Sequence, residues 1–257
     1  MLPAPCYVLS DAHLGAAPPE TERDLLALLR RLPEDARSLV INGDLFDFWF
    51  EWRHAVPRAG VRVLGALARL RDEGIPVLWI AGNHDCWGGE VLRDDLGLDY
   101  HVGLWRGSAG GWDTVVEHGD GLRAKEDAPY RRLRTVLRHP WSIRTFRWLH
   151  PDLGTWLALR SSHTSRNMRP RDGGEGLRAV ANARLAAADA PELLVFGHSH
   201  VTTLERLHGR VFANPGAWMD GPRFLRLVPE RIDLCRLQGG THVVEGTLAR
   251  EGAVSGS

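Results

Sequence analysis

Short apolar runs, rich in β-branched and aromatic residues, recur along the chain at positions 7–10, 38–42, 77–81, 114–117 and 193–196. Runs of this length that are apolar on both faces are typical of strands buried inside a sheet. Between several of them, apolar residues recur at helical spacing, in 25–29, in 61–71 before Gly74, and in the alanine-rich segment 177–188. Strands that alternate with helices predict an α/β layered fold, with further strands at 211–214 and 224–228.

The segment 121–170 has a different pattern. It contains eleven Arg or Lys residues against three acids, together with Trp141, Trp148 and Trp156. Its apolar residues recur at helical spacing in 130–137 and again in 153–160. We interpret the segment as a helical cap, with Pro140 and Pro151 separating its helices. The basic charge of the segment has two possible explanations. Its helices either bind a diphosphate or an anionic membrane, or they simply expose a charged surface to solvent.

We therefore expect a single domain over residues 1–250, with the cap inserted at about 121–170 and a flexible tail at 251–257. Apolar residues make up 44% and charged residues 25% of the 257, as in ordinary globular proteins. The formal net charge is zero, so no global field favours nucleic acid as a partner.

Three scattered cysteines suit a reducing compartment, and the start of the chain lacks the pattern of a signal peptide. No apolar stretch approaches the roughly 20 residues that a membrane-spanning helix needs. We expect a cytoplasmic protein, and the sequence leaves its oligomeric state open. Contact with a membrane surface needs no spanning helix and also stays open.

Each of the five apolar runs leads into a cluster of Asp, His or Asn residues. The clusters are Asp11-Ala-His13, Gly43-Asp-Leu-Phe-Asp47, Gly82-Asn-His-Asp85, His118-Gly-Asp120 and Gly197-His-Ser-His200. Ligands of open α/β sheets bind beyond the carboxyl ends of the strands, so the clusters are predicted to converge. Any one cluster is weak support, but five in this order, each after an apolar run, are a strong signal.

Carboxylates and imidazoles together suit divalent Mn²⁺, Zn²⁺ or Fe²⁺. A bridging carboxylate can hold two such ions about 3.5–4 Å apart, and Asp44 is the natural bridge. Asp47, Asp85 and Asp120 are expected to orient ligands rather than to bind metal. Trp49 and Trp52 either line the substrate cleft or pack in the core.

This series of clusters resembles that of the calcineurin-like metallophosphoesterases across about residues 8–216. The resemblance implies a four-layer α/β/β/α sandwich that binds two divalent metal ions, Mn²⁺ in the first place and Zn²⁺ or Fe²⁺ as alternatives. It implies one ion held by Asp11, His13, Asp44 and His200, and a second held by Asp44, Asn83, His118 and His198. His84 would act with Asp44 in catalysis, by stabilising negative charge or protonating the leaving oxygen.

A narrower resemblance, to UDP-2,3-diacylglucosamine hydrolases, rests on Asp44-Leu-Phe-Asp-Phe-Trp49, His118-Gly-Asp-Gly-Leu122, Tyr130-Arg-Arg-Leu-Arg134, Pro140-Trp141 and Arg160-Ser-Ser162. It implies cleavage of a pyrophosphate in lipid A assembly, giving UMP and lipid X, with a cap that holds acyl chains. The partner would be a nucleotide-linked lipid at the inner face of the cytoplasmic membrane. The substrate contacts would be Asn83, His84, Glu126, Tyr130, Arg160 and Ser162. Better-known members carry arginine in place of His84.

Three other functions stay open at this stage. A phosphodiesterase or phosphatase that acts on a soluble nucleotide, a phosphoprotein or another phosphoester would not explain an apolar cap. A non-catalytic scaffold with the same fold often lacks the histidine after the asparagine or some ligands, all of which are present here. The neutral net charge gives no support to a nuclease that acts on nucleic acid.

Overall fold

The computed structural model describes residues 1–167 and 172–251, and in 161–167 it describes the backbone alone. The side chain of the predicted substrate residue Ser162 therefore lies outside the described residues. The predicted tail lies outside them from residue 252 onwards.

The first sheet has seven strands in the order β12-β11-β10-β1-β2-β3-β4. Its strands are β1 Cys6–Leu9, β2 Ser38–Asn42, β3 Val77–Ile80, β4 Asp99–His101, β10 Arg223–Val228, β11 Arg231–Gln238 and β12 Thr241–Ala249. Strands β1 to β4 are parallel, and β10 to β12 are added antiparallel. Leu9, Ile41 and Trp79 lie opposite one another across β1, β2 and β3. The polar segments after these three strands therefore leave the sheet at one edge.

The second sheet has five strands in the order β5-β6-β7-β9-β8. Its strands are β5 Trp105–Ala109, β6 Trp112–Val116, β7 Leu193–Val195, β8 Thr203–Leu207 and β9 Arg210–Asn214. Strands β6, β7 and β9 are parallel, with β5 and β8 antiparallel at the two edges. Val116 lies opposite Val195, so the segments after β6 and β7 also leave at one edge.

The helices are α1 Pro19–Asp35, α2 Val61–Asp72, α3 Ala128–Leu137, α4 Pro140–Phe146, α5 Pro151–Asn167 and α6 Glu175–Leu185. A π-helical turn covers Val91–Asp95, and a 3-10 turn covers Trp218–Asp220. No helix among the described residues is both long enough and apolar enough to cross a bilayer.

Three apolar layers separate the helices from the sheets and the sheets from each other. Leu25 and Leu29 of α1 and Leu67 of α2 pack against Leu39 and Trp79 on one face of the first sheet. The opposite face of that sheet packs on the second sheet through a cluster that includes Val8, Val40, Ile80, Val116 and Val195. Leu177 and Leu185 of α6 cover the outer face of the second sheet, next to Leu194 and Phe196. This order confirms the predicted four-layer α/β/β/α sandwich.

Helices α3, α4 and α5 lie between β6 and α6, where the cap was predicted. Helices α4 and α5 begin at Pro140 and Pro151, so these prolines start helices, where their missing N–H costs nothing. Ile143, Phe146 and Ala158 of these helices pack on Phe48, Phe50 and Trp52 of the core. Trp52 is therefore a packing residue. The division into one domain of residues 1–250 with an insertion at 121–170 stays a prediction.

Candidate active site

The predicted ligands follow five strand ends that belong to both sheets. They are Asp11 and His13 after β1, Asp44 after β2, Asn83 after β3, His118 after β6, and His198 and His200 after β7. Since β1, β2 and β3 end at one edge of their sheet, and β6 and β7 at one edge of theirs, the clusters meet where the two sheets lie against each other.

Five of these seven residues have left-handed backbone conformations. Their φ angles are 55° at Asp11, 46° at His13, 52° at Asp44, and 60° at both His198 and His200. Non-glycine residues rarely adopt this region, and such conformations cluster at functional sites. The sharp turns let adjoining residues point into one space directly after the strands end.

Two glycines allow the ligands to approach the neighbouring backbone. A Cβ at Gly43 would lie 2.7 Å from the His118 ring at Cγ, and a Cβ at Gly82 would lie 2.6 Å from the Asp44 amide nitrogen. Both distances are too short for a real side chain. The glycine in each motif therefore makes room for the ligand of another strand.

The side chains form two groups whose ligating atoms lie within 4.8 Å of one another. One consists of Asp11, His13 and His200, and the other of Asp44, His118 and His198. In the first group, His200 Nε2 lies 3.2 Å from Asp11 Oδ1. In the second, His118 Nε2 lies 3.2 Å from Asp44 Oδ2.

Asp44 connects these two groups. Asp44 Oδ2 also lies 3.8 Å from His13 Nε2, so this carboxylate reaches both groups. Among the buried side-chain atoms without a hydrogen-bond partner in the described part of the chain are three of the predicted ligand atoms, Asp11 Oδ1, Asn83 Oδ1 and His118 Nε2. Burying such atoms without a partner is costly, and a bound cation supplies one. The donor set suits a divalent metal ion, so these groups are positioned for metal binding.

Polar contacts at the other ring nitrogens orient the imidazoles. His118 Nδ1 donates to the Asn42 carbonyl at 2.8 Å, which leaves Nε2 as the ligating atom. His13 Nδ1 lies 3.3 Å from Asp47 Oδ1, and His200 Nδ1 lies 3.3 Å from Asp220 Oδ2. Asp47 thus lies in the orienting position expected for it.

Asp85 and Asp120 make different contacts. Asp85 accepts the Gly82 N–H at 2.7 Å and the Leu45 N–H at 2.8 Å, so it ties together the loops that carry Asn83 and Asp44. The Asp120 carboxylate accepts hydrogen bonds from Tyr130, Arg134 and Arg138 of α3 and its C-cap. Asp120 therefore connects the His118 loop to the cap.

Asp220 was not among the predicted residues. It lies in the 3-10 turn Trp218–Asp220, outside all five motifs, and only the fold brings it to His200. No sequence signal marks it.

Burial and charge set the protonation states in the site. Burial lowers the pKa of His13 and lowers that of His198 to about 4, so both rings are neutral near pH 7, the form that binds metal. Burial acts to raise the pKa of Asp44, but the charge of His118 outweighs it and holds that pKa well below its usual range. Burial, with the charge of Asp44, raises the pKa of Asp85 to about 7.

His84 lies beside both groups and is itself close to His13 and Asp44. Its backbone N–H donates to Asp44 Oδ1 at 2.9 Å, and its Nδ1 donates to the Asp47 carbonyl at 2.9 Å. These two contacts fix the ring beside the predicted ligands.

A cavity of about 590 Å³ begins at Asp47, Asn83 and His84 and continues between the cap helices. Its apolar lining includes Phe48, Phe50, Leu133, Leu137, Phe146, Leu149 and Leu157. Tyr130 also lines it, with its hydroxyl donating to Asp120 at 2.7 Å. The site thus has a polar end beside the metal ligands and an apolar end in the cap.

The structure does not bring two other predicted substrate residues to this cavity. Glu126 is exposed and is not among the described residues that line it. Arg160 is also exposed, and its guanidinium lies over the Trp156 ring, 5.0 Å from the ring centre. The aromatic lining from Phe48, Phe50 and Phe146 was not predicted.

Residues 4–202 match the family described as calcineurin-like phosphoesterase. Among curated relatives, a UDP-2,3-diacylglucosamine hydrolase of Porphyromonas gingivalis is 31% identical over 221 residues, which cover 76% of this chain and 82% of the relative. The hydrolase of the same name from Neisseria meningitidis serogroup B is 30% identical, covering 83% of this chain and 90% of the relative. That of Actinobacillus succinogenes is 26% identical, covering 88% and 97%.

The match spans all five motifs, and the ligands that carry them come together in the fold. The chain therefore belongs to the calcineurin-like phosphoesterase family and is a metal-dependent phosphoester hydrolase.

Proposed function

We propose that this protein hydrolyses the pyrophosphate bond of UDP-2,3-diacylglucosamine, giving UMP and lipid X. The observation that carries the proposal is that one continuous cavity runs from Asn83 and His84 to the apolar side chains of the cap. A diphosphate-linked lipid needs a polar end for its phosphates and an apolar end for its acyl chains. Three relatives are named as hydrolases of the same compound.

In this proposal Asp11, His13 and His200 would hold one divalent ion, Asn83, His118 and His198 would hold the other, and Asp44 would contribute to both. Mn²⁺ is the first candidate, with Zn²⁺ and Fe²⁺ as alternatives. When bound, two such ions lower the pKa of water and neutralise phosphate oxygens.

His84 is the proposed acid or electrostatic group. The Asp47 backbone carbonyl holds its Nδ1, and the ring lines the cavity beside Asn83, where a phosphate would bind. From this position it stabilises negative charge or gives a proton to the leaving oxygen.

Tyr130 is the cap side chain proposed to face the head group, because it lines the polar end of the cavity together with Asn83 and His84. The roles of Glu126, Arg160 and Ser162 in substrate binding rest on the resemblance alone.

The apolar end of the cavity is proposed to hold acyl chains. This end is lined by Leu133 and Leu137 of α3, Phe146 of α4 and Leu157 of α5. Each buried methylene contributes about 0.8 kcal/mol, so even part of two acyl chains would dominate affinity.

We also propose peripheral contact between the cap and the inner face of the cytoplasmic membrane, with the body of the protein in the cytoplasm. Trp141 is 69% exposed and Trp148 is 85% exposed, next to the exposed cations Arg144 and Arg147. Exposed indole rings beside arginines suit the interface of an anionic bilayer.

The deciding experiment compares hydrolysis of detergent-dispersed UDP-2,3-diacylglucosamine with that of UDP-N-acetylglucosamine, which has the same diphosphate without long acyl chains. We expect a far higher kcat/KM for the acylated compound. Equal values would mean that the cap does not recognise acyl chains, and a hydrolase of soluble nucleotides would then be favoured.

A further inference from the structure

The two ends of the cap meet at one buried arginine. Arg123 lies between β6 and α3, only 7% exposed. Its Nε and Nη2 donate to Asp127 Oδ1 at 3.1 and 2.6 Å, and its Nη1 donates to Asp172 Oδ2 at 3.2 Å. Asp127 directly precedes α3, whereas Asp172 lies beyond α5, just before α6. One guanidinium therefore joins the chain entering the cap to the chain leaving it.

Each partner of Arg123 is itself fixed to the backbone. Asp127 Oδ2 accepts the Arg123 N–H at 2.9 Å, which closes the turn before α3. Asp172 accepts the N–H groups of Gly174 and Gly176 at 3.0 and 3.2 Å, at the beginning of α6. The planar fork of arginine suits two carboxylates at once, and lysine does not offer that geometry.

The Arg123 side chain packs closely against the beginning of α6. A Cβ at Gly176 would lie 2.5 Å from Arg123 Cδ, so the arginine stem lies directly on the first turn of α6. The Arg123 carbonyl accepts a hydrogen bond from Arg131 Nη1 at 2.6 Å, which adds a contact to the first turns of α3. Arg123 thus fixes the start of α3 against the helix that covers the second sheet.

The position of α3 sets one wall of the cavity. Tyr130, Leu133 and Leu137 of this helix line the space that begins at His84. Arg123 itself does not belong to the lining, and neither of its carboxylate partners does. Any effect of Arg123 on substrate must therefore pass through the placement of α3.

We propose that Arg123 is a positioning residue that ties both ends of the cap to the core and so sets the width of the cavity for acyl chains. The choice of acylated substrate rests on the proposed function. The role of Arg123 in placing α3 does not.

The test measures kcat and KM of wild type, Arg123→Ala and Arg123→Lys on two substrates, UDP-2,3-diacylglucosamine and bis(p-nitrophenyl) phosphate. Arg123→Ala should lower kcat/KM for the lipid substrate by up to about 100-fold, mainly through KM, since displacements near 1 Å can cost this much. Hydrolysis of the small diester, which needs no cap, should be little changed. For the lipid substrate, kcat/KM of Arg123→Lys should lie between the values of wild type and Arg123→Ala, because lysine keeps the positive charge but lacks the planar arrangement of donors.

Arg178→Ala is the matched control, since Arg178 of α6 makes an ion pair with Glu205 at 2.7 Å and is 57% exposed. It should leave both activities as in wild type. Equal losses on the two substrates would overturn the proposal, because Arg123 would then support the whole fold. Unchanged kinetics on both would overturn it as well.

Hydrogen exchange gives a readout that does not depend on the substrate. In Arg123→Ala, amides of α3 should exchange faster, while those of β1, β2 and β3 keep their protection. If wild type shows no preference for the acylated compound, the proposed function fails, and this exchange pattern alone then decides the role of Arg123. Unchanged exchange in α3 would contradict it.

Discussion

Asp44 Oδ2 lies 3.2 Å from His118 Nε2 and 3.8 Å from His13 Nε2, between the two proposed ion sites. Losing this carboxylate should therefore affect both ions, whereas losing the His13 ring should affect one. We expect Asp44→Ala to abolish turnover and to reduce the metal content of protein purified with Mn²⁺ at both sites. Elemental analysis of Asp44→Ala and His13→Ala, side by side, checks this. Near-native activity of Asp44→Ala would rule out the bridge.

His84 differs from the ligands because its proposed target is the phosphate. His84→Ala should lower kcat by roughly 10²–10⁴, the usual scale for an acid–base group, without changing metal content. His84→Arg is an informative companion, because it introduces the residue found in better-known relatives. If His84→Ala loses its metal together with its activity, the ring acts as a ligand or as support for the site.

For single residues, the sequence was enough to locate those that lie in compact motifs next to strands. It could not locate Asp220, which reaches His200 only through the return of the chain after β9. It also could not show that Phe146 joins Phe48 and Phe50, because that contact depends on how the cap lies on the core. Contacts of this kind follow from tertiary structure alone.

Among the elements, strands were predicted where both faces are buried. All five residues of β2 are buried, and its predicted bounds match the structure. Strand β12 was not predicted, because it lies at the edge of the first sheet and its residues are mostly exposed, so no apolar pattern marks it. Helix α4 has seven residues, too few for a helical period to be recognised.

The end of α1 offers a test of how elements are joined. Asp35 accepts hydrogen bonds from the Tyr7 hydroxyl of β1 at 2.7 Å and from Arg226 of β10 at 2.8 and 3.0 Å. The hydrogen bonds from Arg226 lower the pKa of Asp35 to about 2. The folded pKa is thus below the unfolded value of about 3.9, so this stabilisation is full above that pH and is lost as pH falls through the folded pKa.

Asp35→Asn should accordingly lower the free energy of unfolding at neutral pH and make little difference near the folded pKa. The effect should not exceed about 1 kcal/mol, because solvent screens a partly exposed pair. Denaturant unfolding of both proteins at neutral and at acidic pH gives the two differences. If the two proteins differed in free energy of unfolding by the same amount at neutral and at acidic pH, the charge of Asp35 would not be the source of the stabilisation.

For the molecule as a whole, the exposed apolar side chains are concentrated in the cap. Of the large exposed hydrophobic residues, many lie in the cap, among them Leu133, Val136, Trp141, Trp148, Leu153 and Trp156. Exposed apolar side chains that gather in one segment mark a candidate interaction site. The proposed substrate is a lipid, so a bilayer is the partner that both the surface and the cavity fit.

Vesicle binding tests this surface directly. Trp141→Ala with Trp148→Ala should weaken sedimentation with vesicles that contain anionic lipid by about tenfold for each ring, as expected for losing one large buried side chain. Added salt should weaken wild-type binding further, because it screens Arg144 and Arg147 from the anionic head groups. Val243→Ala with Val244→Ala is the control, since these valines are exposed on β12, 40% and 54%, outside the cap. Equal losses in the two double variants would mean that the cap has no special part in membrane contact. Hydrolysis of bis(p-nitrophenyl) phosphate should stay at the wild-type rate in both, because neither pair lies among the metal ligands.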